Sequence, residues 1–99
     1  MKYYGEEALG LVETVGLVPA LDAADKMLKA ANVELISYEN IGSTLVTIMI
    51  KGDVAAVKSS VEAGARAADA IGKLTAHNVM PRPLPAVGEI VPVHDIDSE

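Results

Sequence analysis

The side chains able to do chemistry are few and poorly spaced for it. Histidine occurs twice, at His77 and His94, and neither stands in a His/Asp/Glu pattern that would hold a metal. His77 falls in a strand pattern, where a surface or satisfied imidazole is the plain reading. Ser43, Ser59 and Ser60 have no neighbouring His and no nucleophile-elbow glycines, so acyl transfer through serine has no support. Gly5, Gly10 and Gly16 do not space as a phosphate-binding loop. Cysteine is absent, which removes disulfides, thiolate nucleophiles, Cys-ligated zinc and iron–sulfur clusters. Asp25 and Lys29 stand four apart, acid before base; on a helix they form an exposed pair contributing ~0.3–0.5 kcal/mol. No catalytic residue, metal site or cofactor is expected.

The composition points elsewhere. Hydrophobic residues make up 51% of the 99, yet there is no Phe, no Trp and only three Tyr. One domain of this size buries roughly 60–70% of the surface its unfolded chain exposes. So much Ala, Val, Leu and Ile exceeds what one modest core can hide, and part of it is expected to lie against other subunits. Net charge is −6 with no basic cluster, which disfavours a nucleic-acid partner. No apolar run approaches the ~20 residues of a membrane span. The first residues lack the apolar core of a signal peptide, so a cytoplasmic location is expected.

The elements that position these residues are legible from periodicity. Ala8–Thr14 reads as a strand broken by Gly16. From Leu17, apolar residues recur at Leu21, Ala24, Leu28 and Ala31, the spacing of a helix face, with Pro19 in the tolerant first turn and Asn32 near the end. Val33–Ser37 and Leu45–Ile50 read as two strands of a hairpin whose tip contains Gly42 and Ser43, glycine supplying a positive φ. Asp53 is suited to N-cap a second helix, with Val54, Val57, Val61, Ala65, Ala68 and Ile71 on its buried face. That face is small in side chain, which permits close packing. Gly72 is expected to end this helix in the left-handed conformation. Lys73–Met80 is the last strand, stopped by Pro81, Pro83 and Pro85. The rest is a tail with an acidic, fraying end.

The order β-α-β-β-α-β predicts an α+β, ferredoxin-like (split βαβ) fold: a four-stranded antiparallel sheet with two helices on one face, and a short C-terminal tail. The fold alone decides no function.

Several ordered segments resemble bacterial microcompartment (BMC-domain) shell proteins of the single-domain, hexamer-forming class. They are Glu7–Thr14 with Gly16-Leu17, Ala23–Val33, Ile41-Gly42-Ser43 with Val46-Thr47, Lys51–Val54, Ala63-Gly64-Ala65, and His77–Pro83. The resemblance implies a BMC shell domain over residues 1–83 and a tail over 84–99. It implies a structural shell protein, not an enzyme, in the shell of a cytoplasmic bacterial microcompartment. Six copies would form a flat ring, and rings would tile into sheets with other shell proteins, pentamer vertices included, around encapsulated enzymes. Asn40, Ile41, Gly42, Ser43 and Thr44 would line a central pore for small polar metabolites. Lys29, Asn32 and Arg82 would form the inter-hexamer edge.

The sequence also departs from the family it resembles. Many relatives carry Lys or Arg where Asn40 stands, so a ring of positive charge is missing. Many carry Gly where Thr44 stands; a β-branched residue held at positive φ there would be strained by ~1–3 kcal/mol. Leu84 replaces a residue that is often His. Two alternatives remain open on sequence grounds: a ferredoxin-like small-molecule-binding regulatory module, and a small enzyme working through His77. Neither nucleic acid nor membrane is an expected partner.

Overall fold

The structure, a computed structural model, describes residues 7–42 and 44–92, without the side chain of Ile41. The expected order is present: β1 (Ala8–Val15), α1 (Leu17–Ala30), β2 (Val33–Ile41), β3 (Leu45–Gly52), α2 (Val54–Ile71) and β4 (Lys73–Met80). The strands form one antiparallel sheet in the order β2-β3-β1-β4. Central β1 and β3 run in unbroken register from Ala8↔Gly52 to Val15↔Leu45. One extra residue enters β2 between Leu35 and Ser37, and the β1–β4 register slips between Glu13 and Thr14. Such bulges switch which face later side chains occupy.

Both helices cover one face of the sheet. Ala20, Ala23 and Met27 of α1 and Val57, Val61 and Ala68 of α2 share a buried core with Ala8, Val12, Val33, Val46, Ile48 and Ile50. Asp53 N-caps α2 as its side chain type predicts, accepting from the Ala55 N–H at 3.1 Å. The small face of α2 does permit close approach. A Cβ added at Gly64 would lie 2.5 Å from Met27 Cγ, so only glycine lets the helices cross this near.

Three local expectations are corrected. Leu17, Leu21 and Leu28 do not face the core: Leu17 is 55% and Leu21 57% exposed, and the buried stripe is Pro19, Ala20, Ala23 and Met27. The helix is apolar on two sides, and its smaller side meets the sheet because α2 leaves little room beside it. Nor is Gly72 left-handed. Its backbone is extended (φ −160°), and Pro19 crowds the space where a Cβ would stand. The ends of the α2 stripe are also more open than expected, with Val54 38% and Ile71 55% exposed.

The helix-free face has a smaller cover of its own. Pro85–Glu89 forms a 3₁₀ turn within the segment expected only as a tail. It brings Val87 and Val91 onto Leu9, Ile36, Met49 and Met80, and the Ser37 hydroxyl donates to the Pro92 carbonyl. The acidic end of the tail, and His94 with it, lies outside the described residues.

Candidate functional site

Register places the two groups of candidate residues at opposite ends of the sheet. At one end, Ile41, Leu45, Val15 and Lys73 lie in a row across β2, β3, β1 and β4. At the other end, Val33, Gly52 and Ala8 lie in a row, with Met80 beside Leu9. Strands of eight residues separate these rows by ~25 Å at about 3.3 Å per residue.

The hairpin forms the first end. Asn40 pairs with Val46 and Ile41 with Leu45. Gly42 takes the positive φ expected of the tip, at 62°. Thr44 Oγ1 donates to the Gly42 carbonyl at 3.2 Å, and the Thr44 carbonyl accepts from the Gly16 N–H at 2.7 Å. The second bond ties the tip to the start of α1. Asn40 and Thr44 are exposed, whereas Ser43 lies outside the described residues. Glu39 Oε1 accepts from the Asn40 N–H at 3.2 Å, a local cap that no tip motif announces.

Lys29, Asn32 and Arg82 all lie at the second end, but Asn32 precedes β2 and Arg82 follows β4, on opposite edges of the sheet. Lys29 sits in the last turn of α1, where a cation complements the helix dipole. Its Nζ lies 2.9 Å from Asp25 Oδ2, so the helical pair read from the spacing exists. The Lys29 side chain nevertheless remains 70% exposed. Its bond holds the Asp25 carboxyl below the ordinary carboxylate value. Asp22 likewise holds the Lys26 ammonium above its ordinary value, across 3.1 Å. The Asn32 carbonyl lies against Gly52, and Arg82 shares an open cleft of ≈ 730 Å³ with Glu7, Gly52, Asp53 and Pro81. Beside this cleft, Lys51 is nearly buried and pairs with Glu7 Oε1 at 3.0 Å.

Among the described residues, no arrangement suited to bond-breaking chemistry accompanies either end. Among the described residues, no three His, Cys, Asp or Glu side chains cluster as a metal site. His77 is exposed on edge strand β4. Glu13 is a carboxylate bonded to two neighbouring strands. It accepts from Thr47 Oγ1 at 3.0 Å and from Thr75 Oγ1 at 2.9 Å, linking β3, β1 and β4. Sequence spacing could not reveal it, because these three residues meet only through the sheet order. Among the described residues, no helix is long and apolar enough to cross a membrane.

Comparison with known proteins identifies the family. A family model described as the BMC domain matches residues 8–83. The bacterial microcompartment shell protein PduA of Citrobacter freundii is 54% identical over 87 residues, covering 88% of this chain and 94% of that protein. The shell protein EutM of Escherichia coli K12 is 48% identical over 87 residues, covering 88% and 90%. A crystal structure of a microcompartment protein from Desulfitobacterium hafniense DCB superposes with a TM-score of 0.73 at 34% identity. The match covers 90% of this chain and about half (51%) of that one.

Proposed function

This chain belongs to the BMC-domain family of bacterial microcompartment shell proteins, and from that premise we propose that six copies form a flat ring with the 40–44 hairpin at its centre. It is a structural shell component and not an enzyme, as its relatives are. The observation that carries the ring reading is the two-ended sheet. The hairpin stands at one end and Lys29, Asn32 and Arg82 at the other, so a radial subunit turns its tip to an axis and its cationic end to a rim.

Exposed apolar surface supports close neighbours. Leu17, Val18, Leu21, Leu28 and Ile71 are all on the outside of the isolated chain. A closing, head-to-tail contact would cover such surface twice per subunit. The regulatory-module alternative is not retained, because the similar proteins are shell proteins.

In this reading Asn40, Ile41, Gly42, Ser43 and Thr44 line a constriction through which small polar metabolites pass, their hydration replaced by backbone and side-chain partners. Lys29, Asn32 and Arg82 join one ring to the next; the planar guanidinium of Arg82 can serve several carbonyls at once. Residues 1–83 form the tiling domain and residues 84–99 the tail, whose Val87 and Val91 lie over the sheet. Pentamer vertices, other shell proteins and encapsulated enzymes complete the list of proposed partners.

Negative-stain microscopy of the purified protein tests this directly. Extended sheets or tubes with a hexagonal lattice are expected without any added ligand. Compact particles that never extend at any concentration would overturn the tiling reading.

A further inference from the structure

We infer that Glu39 makes the central opening charge-selective, holding back anionic metabolites such as carboxylates and phosphate esters while passing neutral and cationic ones. The inference rests on the 40–44 hairpin lining the opening, and adds the class of molecule admitted. Glu39 stands one residue before the lining, and its Oε1 is held at the base of the tip by the Asn40 N–H at 3.2 Å. The lining itself, Asn40 to Thr44, carries no charge that could offset it.

Among the described residues, no lysine or arginine forms an ion pair with this carboxylate. Between Lys29 and Lys51 the chain contains no Lys or Arg. Lys29, Lys51 and Arg82 are all at the far end of the sheet, and Lys51 pairs with Glu7 there. Lys73 is the one lysine in the hairpin-end row of the sheet, but it is on β4, three strands from Ile41, roughly 14 Å at the usual strand spacing. A second carboxylate, Glu13, is in register with Thr47, whose other cross-strand partner is Glu39. Glu13 accepts from the uncharged hydroxyls of Thr47 and Thr75.

Sixfold repetition turns a weak local charge into a filter. In a ring that set six such carboxylates about 10 Å from its axis, screening over the roughly 8 Å Debye length of physiological salt would leave a monoanion held back about threefold against a neutral molecule of equal size. At ~1 M salt the Debye length falls to about 3 Å and the discrimination vanishes.

Closed shells containing this protein and a fluorescent cargo provide the test, with stopped-flow quenching by iodide (anion), acrylamide (neutral) and caesium (cation). Glu39→Gln keeps the acceptor for the Asn40 N–H and removes the charge. It should raise the iodide-to-acrylamide entry ratio about threefold, leave acrylamide unchanged, and lose its effect at ~1 M salt. Asn40→Lys, an exposed change that leaves the sheet alone, should raise the same ratio and lower that for caesium. Ser43→Leu separates the two levels of the argument. If it slows none of the three probes, entry does not use this loop and the pore reading itself fails. If it slows all three while Glu39→Gln and Asn40→Lys leave the ratios where they were, the pore stands and the role of Glu39 is overturned.

Discussion

The Ser60 hydroxyl donates to the Met27 carbonyl at 2.9 Å, a buried bond that joins α2 to the last turn of α1. One turn further along α2, Gly64 lies against the Met27 side chain and the Ala23 carbonyl. The helix pair is thus set by small residues on α2 and by one flexible side chain on α1. Gly64→Ala forces Met27 aside and should lower stability by ~1–3 kcal/mol, the usual range for overpacking. Ser60→Ala should cost about 1 kcal/mol by removing a buried bond. Denaturant unfolding of the two variants checks both, and a neutral Gly64→Ala would show that the helices separate more easily than their contact implies.

The Lys29–Asp25 pair predicts a pH signature. Asp25 has a lowered carboxyl value, first through its bond to Lys29 and then through the nearby Lys29 and Lys26 charges. A depressed acid contributes its interaction above its ordinary value of 3.8, and loses it as pH falls through the lower folded value. Lys26 runs the other way: its interaction is present below the ordinary 10.5 and is lost as pH rises through the raised folded value. NMR titration should show the Asp25 midpoint moving up toward 3.8 in Lys29→Ala. An unmoved midpoint would mean that the pair does not persist in solution.

Lys29 also separates ring from sheet. Lys29→Ala and Lys29→Asp should leave rings whole, because the residue lies at the end of the molecule opposite the hairpin. Both should abolish extended sheets. Lys29→Asp should be the more severe, since it adds negative charge to a chain already at −6. Ordinary sheets from Lys29→Asp would reduce the residue to a helix-surface partner of Asp25.

The returning C-terminal segment is predicted to be structural. Ser37→Ala removes the bond to Pro92 and should cost about 1 kcal/mol. Deleting residues 84–99 should do more, by uncovering Leu9, Ile36 and Met49, and should lower Tm by several degrees. Thermal melts of both variants measure this, and an unchanged Tm for the deletion would show that Val87 and Val91 add nothing to the folded chain.

Much of this architecture is legible without coordinates, for local reasons. Asp53 before an apolar-periodic run, glycine at the hairpin tip and prolines after β4 each act within a few residues. What is not legible depends on a third body. Leu17, Leu21 and Leu28 carry as good a helical period as Ala20, Ala23 and Met27, and only the closeness of α2 decides between them. The 3₁₀ turn at Pro85–Glu89 follows a proline run that announces only the end of pairing. Of the two proposed sites, the tip and edge residues come from a family likeness. The opposition of the two ends comes from strand register. The Glu39 cap and the Glu13 network come only from the folded sheet.

Mass in dilute solution tests the ring most directly. Light scattering behind size exclusion, at a salt and concentration where sheets do not form, should give about six times the 10.3 kDa of one chain. Lys29→Asp should give the same mass, since its change lies between rings. A stable monomer or dimer in both proteins would contradict the six-membered ring, and with it the placement of the 40–44 hairpin on a common axis.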